Sequence, residues 1–200
     1  FGSAIAGHMG DTRWVGDGIS ADEAEQGANW WEQFLPSTAG SLVANEFGLL
    51  GPRVCHSTAC ASSLISILTA MRRIRDGQCD VMLTGGGDSI DPLFAAGFDR
   101  MGVLAKHSDP NQACRPFDRC RNGFVMGEGA AMFVVERLSH ALNRGARIYS
   151  ELVSGAILAE AHHVTGLDME SETLTQLIRQ TLAKGSVEPK EIGYINAHGT

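Results

Sequence analysis

The chain has 200 residues, of which 44% are hydrophobic, 6% aromatic and 20% charged, with a mean hydropathy near zero. That mix belongs to a folded globular chain, excludes disordered and collagen-like classes, and contains neither a run of roughly 20 apolar residues for a membrane span nor a charged-then-apolar leader. The formal charge is −7, from 16 basic and 23 acidic residues, and without a basic excess a chain is a poor nucleic-acid binder, because phosphate neutralisation supplies most of that affinity.

Residues 1–6 read as the tail of a strand. Residues 7–36, rich in Gly, Asp and Glu around Trp30 and Trp31, read as loops about a surface helix. A short helix over 42–47 is stopped by Gly48 and the Gly51-Pro52 turn. Residues 53–57 form a strand. Residues 64–74 form a helix whose apolar Leu64, Ile65, Ile67, Leu68, Met71 and Ile74 predict cover over most of its circumference. It ends at Gly77, with Arg72, Arg73 and Arg75 in its last turn. A strand over 79–84 runs into Gly85-Gly-Gly87, and a helix follows Pro92, a residue suited to the first helical turn. Residues 102–123 are a long polar loop. Residues 130–136 are a near-continuous apolar strand, 138–143 a short helix closed by Gly145, and 148–159 a strand. An amphipathic helix over 170–184 presents Leu174, Leu177, Ile178 and Leu182 on one face, and 192–197 is a last strand. Buried strands alternating with helices predict an α/β fold. A strand, a helix and a glycine-flanked strand occur before residue 146 and begin again after it.

Five cysteines, at 55, 60, 79, 114 and 120, are odd in number and make no C-x-x-C spacing. They suggest neither a disulfide frame nor a zinc site, and fit a reducing compartment, the cytoplasm. The most informative is Cys60, in Ser57-Thr-Ala-Cys-Ala-Ser-Ser63. Small residues flank it at a sharp turn between a strand and a helix. The unpaired N–H groups and dipole at a helix head favour negative charge on a sulfur held there, and the same amides can hold an oxyanion. On local pattern alone the segment is equally a tight turn with a structural thiol.

The second informative segment is Asn196-Ala-His198-Gly-Thr200, a His at the tip of a loop after a strand. Alone it is weak. With a nucleophilic Cys it gains weight, since catalytic partners need not be near in sequence. The other histidines compete poorly. His56 reads as a satisfied core residue. His162 and His163, adjacent on a strand, point to opposite faces, and His8, His107 and His140 lie in surface-like stretches. Gly85-Gly-Gly87 lacks the Lys-Ser/Thr of a phosphate loop, so close backbone packing explains it better than a nucleotide.

Seven strings then stand in one order: Pro36-Ser-Thr, Gly51-Pro52, Thr58-Ala-Cys-Ala-Ser-Ser63, Gly85-Gly-Gly-Asp88, Arg115-Pro-Phe-Asp118, Arg121-Asn-Gly-Phe-Val-Met-Gly-Glu-Gly129 and Asn196-Ala-His-Gly-Thr200. In these the chain resembles the β-ketoacyl-acyl-carrier-protein synthases, and among them most of all the elongating synthase II of dissociated fatty-acid synthesis. The resemblance implies a thiolase-like fold of α/β/α/β/α layers, with mixed sheets and buried helices. Residues 1–146 would be most of the N-terminal half, and 147–200 the beginning of the C-terminal half. It implies a partial chain, because the second active-site His, the Lys before it and a glycine-rich pocket loop would follow Thr200, and such a fragment would not condense by itself.

The resemblance also implies roles. Cys60 would be the acyl-accepting nucleophile and His198 the first of two active-site histidines. Thr200, and Thr165 in Glu160-Ala-His-His-Val-Thr165, would touch a phosphopantetheine arm, although the family's string there has Tyr where this chain has His162. Asn122 stands where the family usually has Asp, which removes a charge from a structural loop. No metal, nucleotide or resident cofactor is implied, since phosphopantetheine arrives on the acyl carrier protein. That partner is acidic, so its docking site should be basic. Arg72, Arg73 and Arg75 offer one cluster, also readable as a solvated helix C-terminus whose cations complement the dipole. Lys106 and His107 offer another, which the resemblance favours. A homodimer is implied as well, pairing the strand over 79–85 across a two-fold axis.

The implied reaction is decarboxylative condensation of a Cys60-bound acyl group with malonyl on the carrier protein, as in fatty-acid elongation. A polyketide or secondary-lipid ketosynthase shares all seven strings. A non-catalytic partner subunit that sets chain length is the reading of another class, and Cys60 argues against it, since such subunits typically lack the nucleophile.

Overall fold

A computed structural model describes the backbone of residues 2–8 and residues 35–90, 92–163 and 166–199 in full. The loops and surface helix expected over 9–34 lie outside the described residues. Two compact units are present: Phe1–Arg137 together with His198–Thr200, and Leu138–Ala197.

The first unit is built on one mixed four-stranded sheet in the order β2-β1-β3-β4. Its strands are β1 (Gly2–His8), β2 (Arg53–His56), β3 (Val81–Asp88) and β4 (Gly129–Glu136). β1 runs parallel to both β2 and β3, with Ile5 opposite Cys55 on one side and Gly85 on the other. β4 closes the far side antiparallel to β3, with Gly85 opposite Met132. Parallel neighbours need crossover connections, and helices supply them. These are α1 (Thr38–Glu46) and α2 (Ser62–Arg75), while α3 (Pro92–Arg100) lies in the connection from β3 to the antiparallel β4. α1 ends at Gly48 and α2 at Gly77, both with positive φ, in line with the glycine stops in the sequence.

α2 lies on β3 and β1, but it buries a different face from the one the apolar count suggests. Ser62, Ser66, Ala70, Met71 and Ile74 are buried, whereas Leu64 is exposed. Spaced by four, Ser62, Ser66, Ala70 and Ile74 form one stripe that begins small and ends large. Small side chains let the helix head approach the sheet closely, and the bulk needed for a core appears only at its far end. There Ala70 and Ile74 meet Met82 of β3, with Cys79 and Val135 against them. Full burial of a side chain such as Met82 contributes about 1.5–3 kcal/mol. Nearer the helix head the buried groups are polar. The hydroxyls of Ser66 and Thr84 are buried without a hydrogen-bond partner among the described residues.

β3 extends through the three glycines as strand rather than stopping before them. A Cβ on Gly85 would overlap the carbonyl oxygen of Ala131 and sit 2.9 Å from Met132 Cα. Close packing on β4 therefore accounts for that glycine. Because β3 has β1 on one edge and β4 on the other, it has no free edge to pair with a second copy, which corrects the strand expected at a two-fold axis. β4, one of the two outer strands, is more open than its apolar sequence suggests, with Phe133 and Val134 exposed.

The second unit holds α4 (Leu138–Asn143) and α5 (Glu172–Gly185). α4 is closed by Gly145 with positive φ, as expected. α5 ends in the left-handed Ser186, whose neighbour Val187 donates its N–H to Leu182 O at 3.0 Å. Ser154 Oγ donates to Thr181 O at 2.7 Å and ties the segment before α5 to its last turns. The strands expected over 148–159 and 192–197 are absent from the described residues. Both segments are apolar, with Leu152, Val153, Ile192 and Ile195 exposed, and apolar composition alone does not set the ladder pairing that defines a strand. No helix among the described residues is long and apolar enough to cross a membrane.

Candidate active site

Cys60 sits where β2 turns into α2, and the local chemistry explains why the turn is so tight. Beyond His56 the chain enters a single 3-10 turn, Ala59–Ala61, directly ahead of Ser62. Ala59 adopts φ of +50°, a left-handed conformation that costs an L-residue roughly 1–2 kcal/mol. The turn is held by Ser62, whose Oγ accepts the Thr58 N–H at 2.7 Å and lies 3.3 Å from Thr58 Oγ1. A buried hydroxyl in the first turn of the helix thus ties the strand exit to the helix head. Cys60 is exposed on the outside of this knot as a free thiol. α2 begins with Ala61 at its N-cap and no side-chain cap; the Ala61 N–H donates to Thr58 O at 3.3 Å and the Ser62 N–H to Ala59 O, so the 3-10 turn itself closes the head of the helix.

The neighbouring groups are already occupied. His56 Nε2 bonds Thr69 Oγ1 at 2.8 Å, the satisfied histidine expected of this position. Cys55 Sγ donates to Pro36 O at 3.2 Å, and burial raises its pKa above the ordinary thiol value. Cys79 is raised too, by burial first, with the Asp80 carboxylate adding to the rise and the Arg73 guanidinium opposing it. The thiolate is the reactive form. At a pH of about 7.5 iodoacetamide should therefore label exposed Cys60, Cys114 and Cys120 ahead of Cys55 and Cys79, and the gap should narrow as the pH passes the ordinary thiol value of about 8.5. Peptide mass mapping over a time course checks the order; equal early labelling of Cys55 and Cys60 contradicts it.

His198 belongs to the same compact unit as Cys60 although 138 residues separate them in the chain. It is exposed. Gly199 has φ of +71°, and a Cβ there would lie 3.4 Å from Phe117 Cε2 and 3.5 Å from Pro116 Cβ. The structure therefore brings the His198 loop onto Arg115-Pro-Phe-Asp118, a string with no assigned role in the sequence. Phe117 itself has φ of +63° and is exposed. A turn holds it, with the Asp118 N–H donating to Arg115 O at 3.2 Å and Asp118 Oδ1 accepting the Cys120 N–H at 2.6 Å. Neither Cys60 nor His198 has a side-chain hydrogen bond among the described residues. Thr165 and Thr200 lie outside the described residues.

The candidate docking groups belong to two elements. Arg72 is exposed in the last turn of α2, while its neighbour Arg73 donates to Gln78 Oε1 at 2.7 Å. Lys106 and His107 are exposed in the long loop between α3 and β4. His107 Nδ1 lies 3.0 Å from Asp109 O and Nε2 lies 3.4 Å from Arg115 NH2. Among the described residues no three His, Cys, Asp or Glu side chains gather as metal ligands. Sequence reasoning missed two fastenings here. Glu128 Oε1 accepts the Ile90 N–H at 2.6 Å, and Asn122 grips the backbone of Lys106. Only the departure from the family's usual Asp pointed at the second.

The family model of the beta-ketoacyl synthase N-terminal domain matches residues 1–141, and that of its C-terminal domain matches residues 149–200. The chain belongs to the beta-ketoacyl synthase family. It is 44% identical over 169 residues to a putative polyketide beta-ketoacyl synthase 1 from Streptomyces halstedii, covering 84% of this chain and 40% of that protein. It is 35% identical over 202 residues to 3-oxoacyl-[acyl-carrier-protein] synthase 2 from Staphylococcus aureus, covering 94% of this chain and 50% of the relative. A solved type II PKS acyl-carrier protein in complex with its ketosynthase bound to the hexaketide superposes with a TM-score of 0.88 at 31% identity, over 100% of this chain and 52% of that one. The ketosynthase fold, thiolase-like and mixed α/β, is thus the fold of this chain. The chain spans about 40% to half of the length of these relatives.

Proposed function

We propose that the protein to which this chain belongs joins an acyl group to malonyl on an acyl carrier protein by decarboxylative Claisen condensation. Exposed Cys60, a free thiol in the tight turn that leads into α2 of a ketosynthase chain, is the observation that carries the proposal. The Cys60 thiolate attacks the acyl thioester carbonyl, the Cys60 backbone N–H helps hold the tetrahedral oxyanion, and the phosphopantetheine thiol leaves. Malonyl thioester then loses carbon dioxide, and the electrons of the broken C–C bond pass into its thioester carbonyl. His198, with a second His, donates hydrogen bonds to that oxygen. The resulting carbanion attacks the acyl-Cys60 carbonyl, the sulfur leaves as thiolate, and a 3-oxoacyl thioester remains on the carrier. Thr165 and Thr200 contact the phosphopantetheine arm, which arrives with the carrier; no resident cofactor takes part.

Lys106, His107 and Arg72 are the proposed contacts for the acidic carrier protein. Residues 1–146 and 147–200 are assigned to the N-terminal half and the start of the C-terminal half. The protein works as a homodimer in the cytoplasm. Fatty-acid elongation is the first reading, supported by the likeness to 3-oxoacyl-[acyl-carrier-protein] synthase 2 from Staphylococcus aureus over 94% of this chain. A polyketide pathway is the second reading, favoured by the 44% identity to the Streptomyces halstedii relative. Incubating the full-length protein with an acyl-carrier thioester should add the acyl mass to the Cys60 peptide, and label elsewhere or nowhere sinks the assignment. Adding malonyl carrier then separates the pathways. Products of one condensation mark fatty-acid elongation, and unreduced chains built by several mark the polyketide reading.

A further inference from the structure

Asn122 holds the backbone of Lys106 at both of its polar groups. Its Oδ1 accepts the Lys106 N–H at 3.3 Å, and its Nδ2 donates to the Lys106 carbonyl at 2.7 Å. One partner is a donor and the other an acceptor, so together they fix which way the amide faces. A carboxylate of the same shape could accept the first bond but has no proton for the second, and its oxygen would face the carbonyl oxygen of Lys106.

The grip is the end of a longer fastening. The Ala105 N–H donates to Phe124 O at 2.9 Å, and the Phe124 N–H donates to Val103 O at 3.0 Å. Between them Gly123 takes φ of +152°, and a Cβ there would come 2.5 Å from Ala105 N. Phe124 meets Phe98 of α3 edge-on at 5.3 Å, and Phe98 meets Phe94 in the same way at 4.9 Å. The backbone leading to Lys106 and His107 is thereby anchored to a helix, while both side chains stay exposed. Residues 99–121 carry Arg100, Lys106, Arg115, Arg119 and Arg121 against Asp99, Asp109 and Asp118, a basic stretch in a chain of net charge −7.

We propose that Asn122 is a positioning residue whose amide presents the Lys106–His107 segment to the acidic carrier protein, a task an aspartate at this place cannot perform. The proposal rests on the docking role given to Lys106 above. The fixed backbone holds the cation in the geometry of the complex, so less freedom is lost on binding, and a negative charge at 122 would oppose the same partner.

The test measures Cys60 acylation in the full-length protein by two donors, an acyl-carrier-protein thioester and the pantetheine thioester of the same acyl group. Asn122→Asp and Asn122→Ala should each raise KM for the carrier thioester by about 3- to 10-fold, the scale of one or two hydrogen bonds. In both variants kcat and the rate with the pantetheine thioester should stay close to wild type, and Lys106→Ala should raise the carrier KM at least as far. If Lys106→Ala raises it and neither Asn122 variant does, positioning is overturned while docking stands. If Lys106→Ala has no effect, the docking role fails and the proposal with it. An effect confined to Asn122→Asp means charge alone and overturns the grip, as does an equal loss with both donors. Should Asn122→Asp fail to fold, Asn122→Ala decides.

Discussion

Replacing His198 by alanine in the full-length protein should leave Cys60 able to take an acyl group while condensation collapses. Removing one preorganised donor from an oxyanion site typically lowers kcat by about 10²- to 10³-fold. A role confined to the malonyl half-reaction puts the whole of that loss after acyl transfer. Structure and chemistry agree on why the two halves separate. Cys60 stands in the 3-10 turn ahead of α2, which Ser62 ties to Thr58, whereas His198 reaches the same unit on a loop resting against Pro116 and Phe117. Acyl-enzyme mass and carbon dioxide release, followed in parallel, resolve the two steps. Acylation lost together with condensation would refute the division of labour and make His198 a partner of the thiol.

A comparably large effect on stability should come from Gly85→Ala. The added Cβ would overlap Ala131 O and press on Met132 Cα at 2.9 Å. Both are backbone of β4, paired with β3 along its length. Neither can rotate away, so β3 and β4 must part or the strands must shift register. We expect a loss of about 3 kcal/mol or more, beyond ordinary overpacking, read as a fall in the denaturation midpoint with an unchanged slope. Gly97→Ala is the contrast. It lies in α3 with nothing within 4 Å of a new Cβ, so the change should raise stability by up to about 1 kcal/mol through helix propensity. If Gly85→Ala proved as benign as Gly97→Ala, the tight β3–β4 approach would be wrong.

What the sequence revealed and what it concealed follow from how local each feature is. The strand, small-residue turn and helix around Cys60 are encoded within about twenty consecutive residues, and the glycines at 48, 77 and 145 mark helix ends because a positive φ is a property of single residues. The buried face of α2 was not legible. Counting apolar positions favours Leu64, whereas the fold selects Ser62, Ser66 and Ala70 because the sheet beneath them is close. Strand character over 148–159 and 192–197 depends on neighbours that apolar composition does not name. The position of β3 between β1 and β4 is likewise a matter of pairing and not of its own residues. In the candidate site, Cys60 and His198 stood out by their motifs. The grip of Asn122 on Lys106 joins residues 16 apart through backbone atoms that every residue has, and a side-chain pattern does not report it.

The order of the strands has a kinetic consequence. Ile5 of β1 pairs with Cys55 on one side and with Gly85 on the other, 80 positions along the chain. During synthesis β1 emerges well before β3, so one of its two neighbours is missing until β3 has been translated. The contacts that complete the inner sheet are among the most distant in sequence, so loop-closure entropy must be overcome before they add stability. Until then β1 carries at least one open row of N–H and C=O groups, the template on which nascent chains aggregate. The slowest and most vulnerable step in folding this sheet is therefore expected to be the capture of β1 by a strand made much later.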